Sequence, residues 1–224
     1  SRLAEFYERA GKVDTLMGQD GSVTIIAAVS PQGGDFSEPV TSHTKRFIRC
    51  FWALDRDLAN ARHYPSISWI DSYSEYIEDI KDWWHKNIDR QWLEFRLMIM
   101  ELLQKEQRLL QVVKLVGPDV LPPTQRLVLE VCSIFKNGFL QQVSFDKVDT
   151  FTSARKQFLM LKIIILFYRG SGELVKKGIS VAEIRALPIY NEVMRMKQVY
   201  SEEQLAGLEE LSSKIETALA ELDF

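Results

Sequence analysis

Residues 21–34, GSVTIIAAVSPQGG, decide how the N-terminal part of this chain is read. Ser22 to Val29 is a short, nearly continuous apolar run rich in β-branched residues, bounded by Gly21 and by the loop Ser30-Pro31-Gln32-Gly33-Gly34. Such a run fits a strand covered on both faces, as in a parallel or mixed sheet flanked by helices. Working outward, Leu3, Phe6, Tyr7 and Ala10 fall at helical spacing, with Gly11 where a helix stop is expected. A second helix is predicted from Glu38-Pro39 through Phe47 and Ile48, and a short one around Leu58 to Arg62 follows Phe51-Trp52-Ala53-Leu54. This is an α/β segment, and an incomplete one, because a stable sheet needs three or more strands. The expectation is that residues 1–71 are the tail end of a larger α/β domain whose earlier strands lie outside the chain. Ser1 in place of Met hints at a processed, engineered or truncated N-terminus.

From Asp71 onward the pattern changes to helix after helix, and a helical bundle is predicted over 72–224. Tyr73, Tyr76, Ile77, Ile80, Trp83 and Trp84 mark a helix over 72–86. Residues 90–115 carry Trp92, Phe95, Met98, Ile99, Leu102, Leu103, Leu109, Leu110 and Val113, with helical spacings of three and four throughout. Gly117-Pro118 and Pro122-Pro123 punctuate a tight turn before a third helix at about 124–137. Asp149-Thr150-Phe151-Thr152-Ser153 offers capping chemistry for a long apolar helix through Tyr168 and beyond. Leu205, Leu208, Leu211, Ile215, Leu219 and Leu222 mark an amphipathic last helix over 201–222.

Composition removes several functional classes. With 28 basic against 31 acidic residues the net charge is −3, so no global basic field draws nucleic acid. Two cysteines, Cys50 and Cys132, cannot make a disulfide scaffold, and their apolar neighbours predict buried free thiols. The strongly apolar stretch Phe158 to Tyr168 contains Lys162 and falls short of the roughly 20 residues of a membrane span. No phosphate-loop motif is present, since Gly11-Lys12 lacks both the earlier glycine and the following hydroxyl. No dinucleotide-binding, metalloprotease or nucleophile-elbow pattern appears either. His43, His63 and His85 stand twenty or more residues apart, which predicts surface or capping histidines and no metal site. Trp83-Trp84 reads as a pair split between the core and rim of a helix, and the acids from Glu75 to Asp82 as a solvated face.

One resemblance goes further. The run from Gly21 through Gly33-Gly34-Asp35-Phe36-Ser37-Glu38-Pro39-Val40-Thr41 resembles the catalytic A subunit of V-type and archaeal A-type rotary ATPases. The similarity continues through Phe51-Trp52-Ala53-Leu54-Asp55 and Arg62-His63-Tyr64-Pro65-Ser66-Ile67-Ser68-Trp69. It recurs at Lys81-Asp82-Trp83-Trp84-His85-Lys86-Asn87, at Leu115-Val116-Gly117-Pro118-Asp119 and at Phe139-Leu140-Gln141-Gln142-Val143-Ser144-Phe145-Asp146. The blocks are specific and span essentially the whole chain in order. The resemblance implies the end of a RecA-like phosphate-loop nucleotide domain over 1–71 and the C-terminal helical domain over 72–224, with earlier domains absent.

For function, the resemblance implies a protein that binds Mg-ATP or ADP and couples ATP hydrolysis or synthesis to transmembrane ion transport. Its partners would be B subunits in an alternating A/B hexameric ring and a central rotor shaft, in a cytoplasmic headpiece peripheral to the membrane. By motif position Tyr64 matches an aromatic of the family's adenine pocket, where Phe is common, and Ser144 and Phe145 match the second wall; alanine is usual at the place of Ser144. Val116, Gly117, Pro118, Asp119, Val120 and Leu121 match the turn that touches the rotor shaft. No catalytic or metal-binding residue is implied within the chain, so by itself it is expected to be inactive and to bind nucleotide weakly at most. Two rival readings are a free-standing helical protein-interaction module, which would not need the strand at 22–29, and a non-catalytic, nucleotide-binding B-type chain. The GGDFSEPVT and Trp83-Trp84-His85 blocks favour A over B, and the loops are written differently from those of an F-type β chain.

Overall fold

The computed structural model describes residues 2–222, the side chain of Asp119 excepted. Two compact units form, one from Ser1–Ala53 with Asp71–Ile77 and one from Leu54–Ile70 with Glu78–Phe224.

The first unit holds a short helix α1 (Arg2–Tyr7) and an antiparallel hairpin of β1 (Gly11–Asp14) and β2 (Asp20–Val23), in the register Gly11↔Val23 to Asp14↔Asp20. Gly11 therefore opens a strand rather than only stopping a helix, and this hairpin has no counterpart in the sequence reading. Its turn is closed by the Thr15 N–H and Oγ1–H, both donating to the Gln19 carbonyl at 2.9 and 2.8 Å. Gly18 takes the left-handed conformation there (φ 72°), which costs glycine nothing. Helix α2 (Pro39–Lys45) starts where the Glu38-Pro39 signal puts it: the Glu38 carboxylate accepts from the N–H groups of Val40 and Thr41 at 3.0 and 3.1 Å. Strands β3 (Cys50–Phe51) and β4 (Tyr73–Ser74) pair antiparallel, and the Lys45 ammonium lies 4.8 Å from the Phe51 ring centroid, with Phe36 and Tyr73 near 6 Å.

The strand expected over 22–29 ends at Val23. Residues 24–30 carry no regular structure, and Ile26 is 83% exposed. The reason is physical: β-branched residues favour a strand because they pack on a pleated surface. Among the described residues no strand runs alongside this segment. The helix expected over 72–86 also starts late, at Ile77, because Tyr73 and Ser74 are taken into β4 and the Tyr73 hydroxyl donates to the Lys45 carbonyl at 3.0 Å.

The second unit is helical: α3 (Arg56–Asn60), α4 (Ile77–Asn87, all but its first residue), α5 (Trp92–Val116), α6 (Pro123–Phe135), α7 (Ala154–Lys176), α8 (Val181–Ala186), α9 (Pro188–Val199) and α10 (Leu205–Glu221). The Asp55 carboxylate caps α3 by accepting from Leu58 N–H at 2.9 Å, and the Asp55 N–H donates to the Ser66 carbonyl at 2.8 Å. Helix α7 is the axis. Its Phe158, Met160, Ile163, Ile164, Ile165 and Phe167 are all buried, so apolar groups cover most of its circumference and α5, α6, α9 and α10 pack around them, while Arg155, Arg169 and Lys176 stay exposed along one stripe. That explains the apolar stretch too short for a membrane: it is a core helix, and among the described residues no helix is long and apolar enough to cross a bilayer. Ser153 alone of the expected capping cluster caps α7, accepting from Lys156 N–H at 3.1 Å. Helices α8 and α9 have no counterpart in the sequence reading, although Ile189, Tyr190, Val193 and Met196 fall at helical spacing, a capping box joins Ser180 to Glu183 and Pro188 opens α9. Trp84 stacks on Trp92 (4.5 Å, 7° between planes), while Trp83 is exposed. Cys132 is buried, its thiol pushed up to about 12 by burial, whereas Cys50 is only half-buried, contrary to expectation.

Helix α6 does not stop at Phe135 but widens into one π-helical turn over Lys136–Leu140. Gly138 sits at the inside of this turn against α9, where an added Cβ would come within 3.0 Å of the Met194 carbonyl oxygen. A G138V substitution is expected to destabilise the chain by about 1–3 kcal/mol and lower its thermal midpoint by roughly 2–12 °C, as measured by calorimetry.

Candidate functional site

Arg62 ends the α3 segment in the left-handed region (φ 58°) and turns the chain towards His63 and Tyr64, whose bond to Pro65 is cis. His63 packs edge-on against Trp69 (5.6 Å between centroids), and the Lys136 ammonium lies 4.8 Å from the Trp69 centroid while paired to Glu106. Trp69 is thereby clamped between a helix of the bundle and the Tyr64 loop.

The π turn delivers Gln141 and Gln142 to the same place. The Gln142 N–H donates to the Tyr64 carbonyl at 2.7 Å, and the Gln141 side-chain amide reaches the Arg62 carbonyl at 3.4 Å. Beyond it, residues 143–150 fold into a compact loop around two acids. Asp146 accepts from the N–H groups of Val148 and Asp149 at 2.8 and 2.9 Å, and those bonds hold its carboxyl below the usual carboxylate range. Asp149 accepts from Val143 N–H at 2.7 Å, its carbonyl takes the Gln142 side-chain amide at 2.7 Å, and the Thr150 hydroxyl donates to the Ser144 carbonyl at 3.0 Å. Two loops that are about 80 residues apart in sequence are thus fixed side by side by one backbone hydrogen bond and one from a side-chain amide.

The expected aromatics stand at the surface of these loops. Tyr64 is 53% exposed and Phe145 98% exposed, and Ser144 is exposed beside it. Neither ring is a core residue. Burial of two such rings would otherwise be worth a few kcal/mol, so their exposure leaves two apolar faces available to a flat partner. The surface clefts lined by Leu187, Lys214 and their neighbours, and by Pro118, Arg126 and theirs, include neither ring. The site as it stands is an open wall.

At the opposite signal, the α5–α6 connection, Gly117 breaks α5 with φ 84° and Pro118–Val120 form a 3₁₀ turn. Leu115, Val116, Pro118 and Val120 are exposed. Gly117 is half-buried, and Leu121, expected among the contact residues, is 4% exposed: it is the anchor of the turn, with its carbonyl accepting from the Arg126 Nε–H at 2.8 Å. The side chain of Asp119 lies outside the described residues.

The sequence predicts surface or capping histidines; His63 instead is buried, packed against Trp69. Burial first, and then the Lys197 and Lys136 cations, push its pKa below the ordinary value. Among the described residues no group of three or more His, Cys, Asp or Glu side chains comes together as a metal cluster.

Comparisons with known proteins match two family models along the chain. The model for the C-terminal domain of V and A type ATP synthase matches residues 81–185, and that for the ATP synthase alpha/beta family, nucleotide-binding domain, matches residues 1–74. The V-type ATP synthase alpha chain of Halothermothrix orenii is 53% identical over 218 residues, 96% of this chain and 37% of that protein. The A subunit of the A-type ATP synthase of Methanopyrus kandleri is 49% identical over 224 residues, 99% of this chain and 38% of that protein. The chain belongs to the A-subunit family of V- and A-type ATP synthases. It spans under two fifths of the length of these relatives. A solved structure, ATP synthase subunit NeqB from Nanoarchaeum equitans, shares the fold, with a TM-score of 0.60 at 20% identity over 74% of this chain and 40% of that one. The match over 1–74 does not fit a free-standing helical interaction module, and identities near 50% to A subunits do not fit a B-type chain.

The buried His63 has a measurable consequence. The folded chain holds this imidazole neutral where the unfolded chain would protonate it, so the unfolded state binds more protons below the ordinary pKa of 6.5. Stability is expected to be fully present above about pH 6.5 and to be lost as pH falls from there through the lower folded value. Thermal midpoints measured between pH 5 and 8 should show this decline, and H63Q should flatten it.

Proposed function

We propose that this chain supplies the adenine-side wall and the rotor-facing helical domain of a subunit that binds Mg-ATP and couples its hydrolysis or synthesis to ion transport. In this reading residues 1–71 are part of the nucleotide domain and residues 72–224 the C-terminal helical domain. The base lies against Tyr64 on one side and Phe145 on the other, with the Ser144 hydroxyl at its edge. The observation that carries this is the 2.7 Å hydrogen bond from Gln142 N–H to the Tyr64 carbonyl, which holds two solvent-facing aromatics on adjoining, rigidly braced loops. A purine offers each ring a face to stack on, and such contacts are worth about 1–3 kcal/mol per base.

Phosphoryl transfer needs a backbone cradle for the phosphates, a lysine, a metal held by a hydroxyl and a carboxylate, and a residue that orients the attacking water. Mg²⁺ would neutralise the phosphate charge. None of that set is proposed for the residues here, whose own work is to grip and orient the base. The full-length protein would alternate with B subunits in a hexameric ring, in a cytoplasmic headpiece that meets the membrane only through the rest of the complex. In that protein, assembled with its partner, Y64A and F145A should each weaken ATP binding roughly 5- to 150-fold, measured by equilibrium binding, with little loss of hydrolysis rate at saturation. Unchanged affinity in both variants would refute the adenine assignment.

The α5–α6 turn is proposed as the contact with the central shaft. Its exposed groups Leu115, Val116, Pro118 and Val120 are apolar, and Pro118, Pro122 and Pro123 stiffen it. A stiff apolar knob pushes by contact rather than by charge. D119K is therefore expected to leave rotation in the assembled complex within about twofold of normal, whereas loss of rotation with shaft binding intact would mark a charge-steered mechanism.

A further inference from the structure

Beneath the Phe145 loop lies a group of charges that the adenine assignment does not use. Asp149, which holds Val143 N–H, is itself paired to Lys197 of α9: Nζ lies 3.1 Å from the same Oδ2 oxygen, with the two side chains 4% and 2% exposed. The contact is an ion pair without hydrogen-bonding angles. Lys156 of α7, fully buried, donates from Nζ to the Lys197 carbonyl at 3.1 Å and fixes the backbone from which Lys197 extends. Glu202 accepts from Ser153 N–H at 2.8 Å at the start of the same helix, and Asp146, His63 and Lys136 complete the surroundings.

Burying a lysine and an aspartate is a poor way to gain stability, because desolvation offsets most of the attraction. What the pair provides is direction. The carboxylate has one oxygen that both Lys197 and Val143 N–H address, so the ammonium sets where that oxygen sits and the oxygen sets where the chain into Ser144 and Phe145 begins. An apolar residue at 197 could fill the space without aiming the loop.

We propose that Lys197 is a positioning residue for the nucleotide base: through Asp149 it fixes the Val143–Phe145 segment so that Phe145 presents its face to the purine. This rests on the adenine reading above and adds to it a residue from a helix that carries no part of the wall. Because it acts on the base and not on the phosphates, its loss should be felt in base selection.

The test uses the full-length protein in its catalytic complex, with K197M as the uncharged variant of similar length and F145A measured beside it. For K197M, KM for ATP is expected to rise about tenfold with kcat within twofold, and the preference for ATP over UTP to fall in step. If F145A loses that preference and K197M keeps it, the positioning role is overturned and the adenine wall stands. If F145A keeps it as well, the adenine wall itself falls, and this inference with it. A K197M variant that loses ATP and UTP turnover alike marks a merely structural pair and also overturns the role. Should K197M fail to assemble, D149N/K197M replaces it, since that pair leaves no lone buried charge and retains an amide oxygen for Val143 N–H. Assembly with weakened ATP preference supports the role, and assembly with normal preference, or no assembly, overturns it.

Discussion

Helix α7 demands cover around most of its circumference, leaving to water chiefly a narrow stripe through Arg155, Arg169, Glu173 and Lys176. Every helix that packs on it is positioned by that demand. Helices α5, α6, α9 and α10 shield Ile163, Ile164, Ile165 and Phe167, and the connections between them are pushed to the ends of the bundle. The two regions assigned a role here are both such connections. One is stiffened by prolines and exposes apolar groups; the other is braced by carboxylates and exposes aromatic rings. A close-packed interior supplies the rigidity, and the loops supply the chemistry.

The bracing of the second region is built almost wholly from backbone donors and two acids. Asp146 and Asp149 gather four N–H and side-chain contacts into a loop that would otherwise have no reason to hold one conformation. Gln142 then ties it to the Tyr64 segment by a main-chain bond, which depends on the path of the chain rather than on which side chains line it. Tyr64, Ser144 and Phe145 can therefore differ among relatives without disturbing the frame that carries them.

Much of the helical part is legible in the sequence because its signals are local. Three- and four-residue spacings mark α5 and α10, and the prolines mark the turn between α5 and α6. Helix α8 escapes because it is only six residues long, whereas α9 is legible yet unread: Ile189, Tyr190, Val193 and Met196 repeat at helical spacing, and Ser180, Glu183 and Pro188 carry start signals for the two helices. The strand at 22–29 misleads for the converse reason: its residues have the propensity but not the neighbours, and propensity in a strand is a statement about neighbours. Tyr64 and Phe145 come from resemblance, since spacing alone would place them in any core. Lys197 and His63 give no signal at all, because a charged or ionisable residue is read as exposed until the fold supplies its partners.

The widened turn over Lys136–Leu140 makes the length of this segment a counted quantity. At 3.6 residues per turn, one residue more or fewer in a helix swings everything beyond it by about 100°. Losing a single residue here would let α6 run on as ordinary helix while rotating Gln142 away from the carbonyl it meets. Families that keep this connection are thus constrained in arithmetic as much as in composition: deletions between Phe135 and Gln142 should be rarer than substitutions.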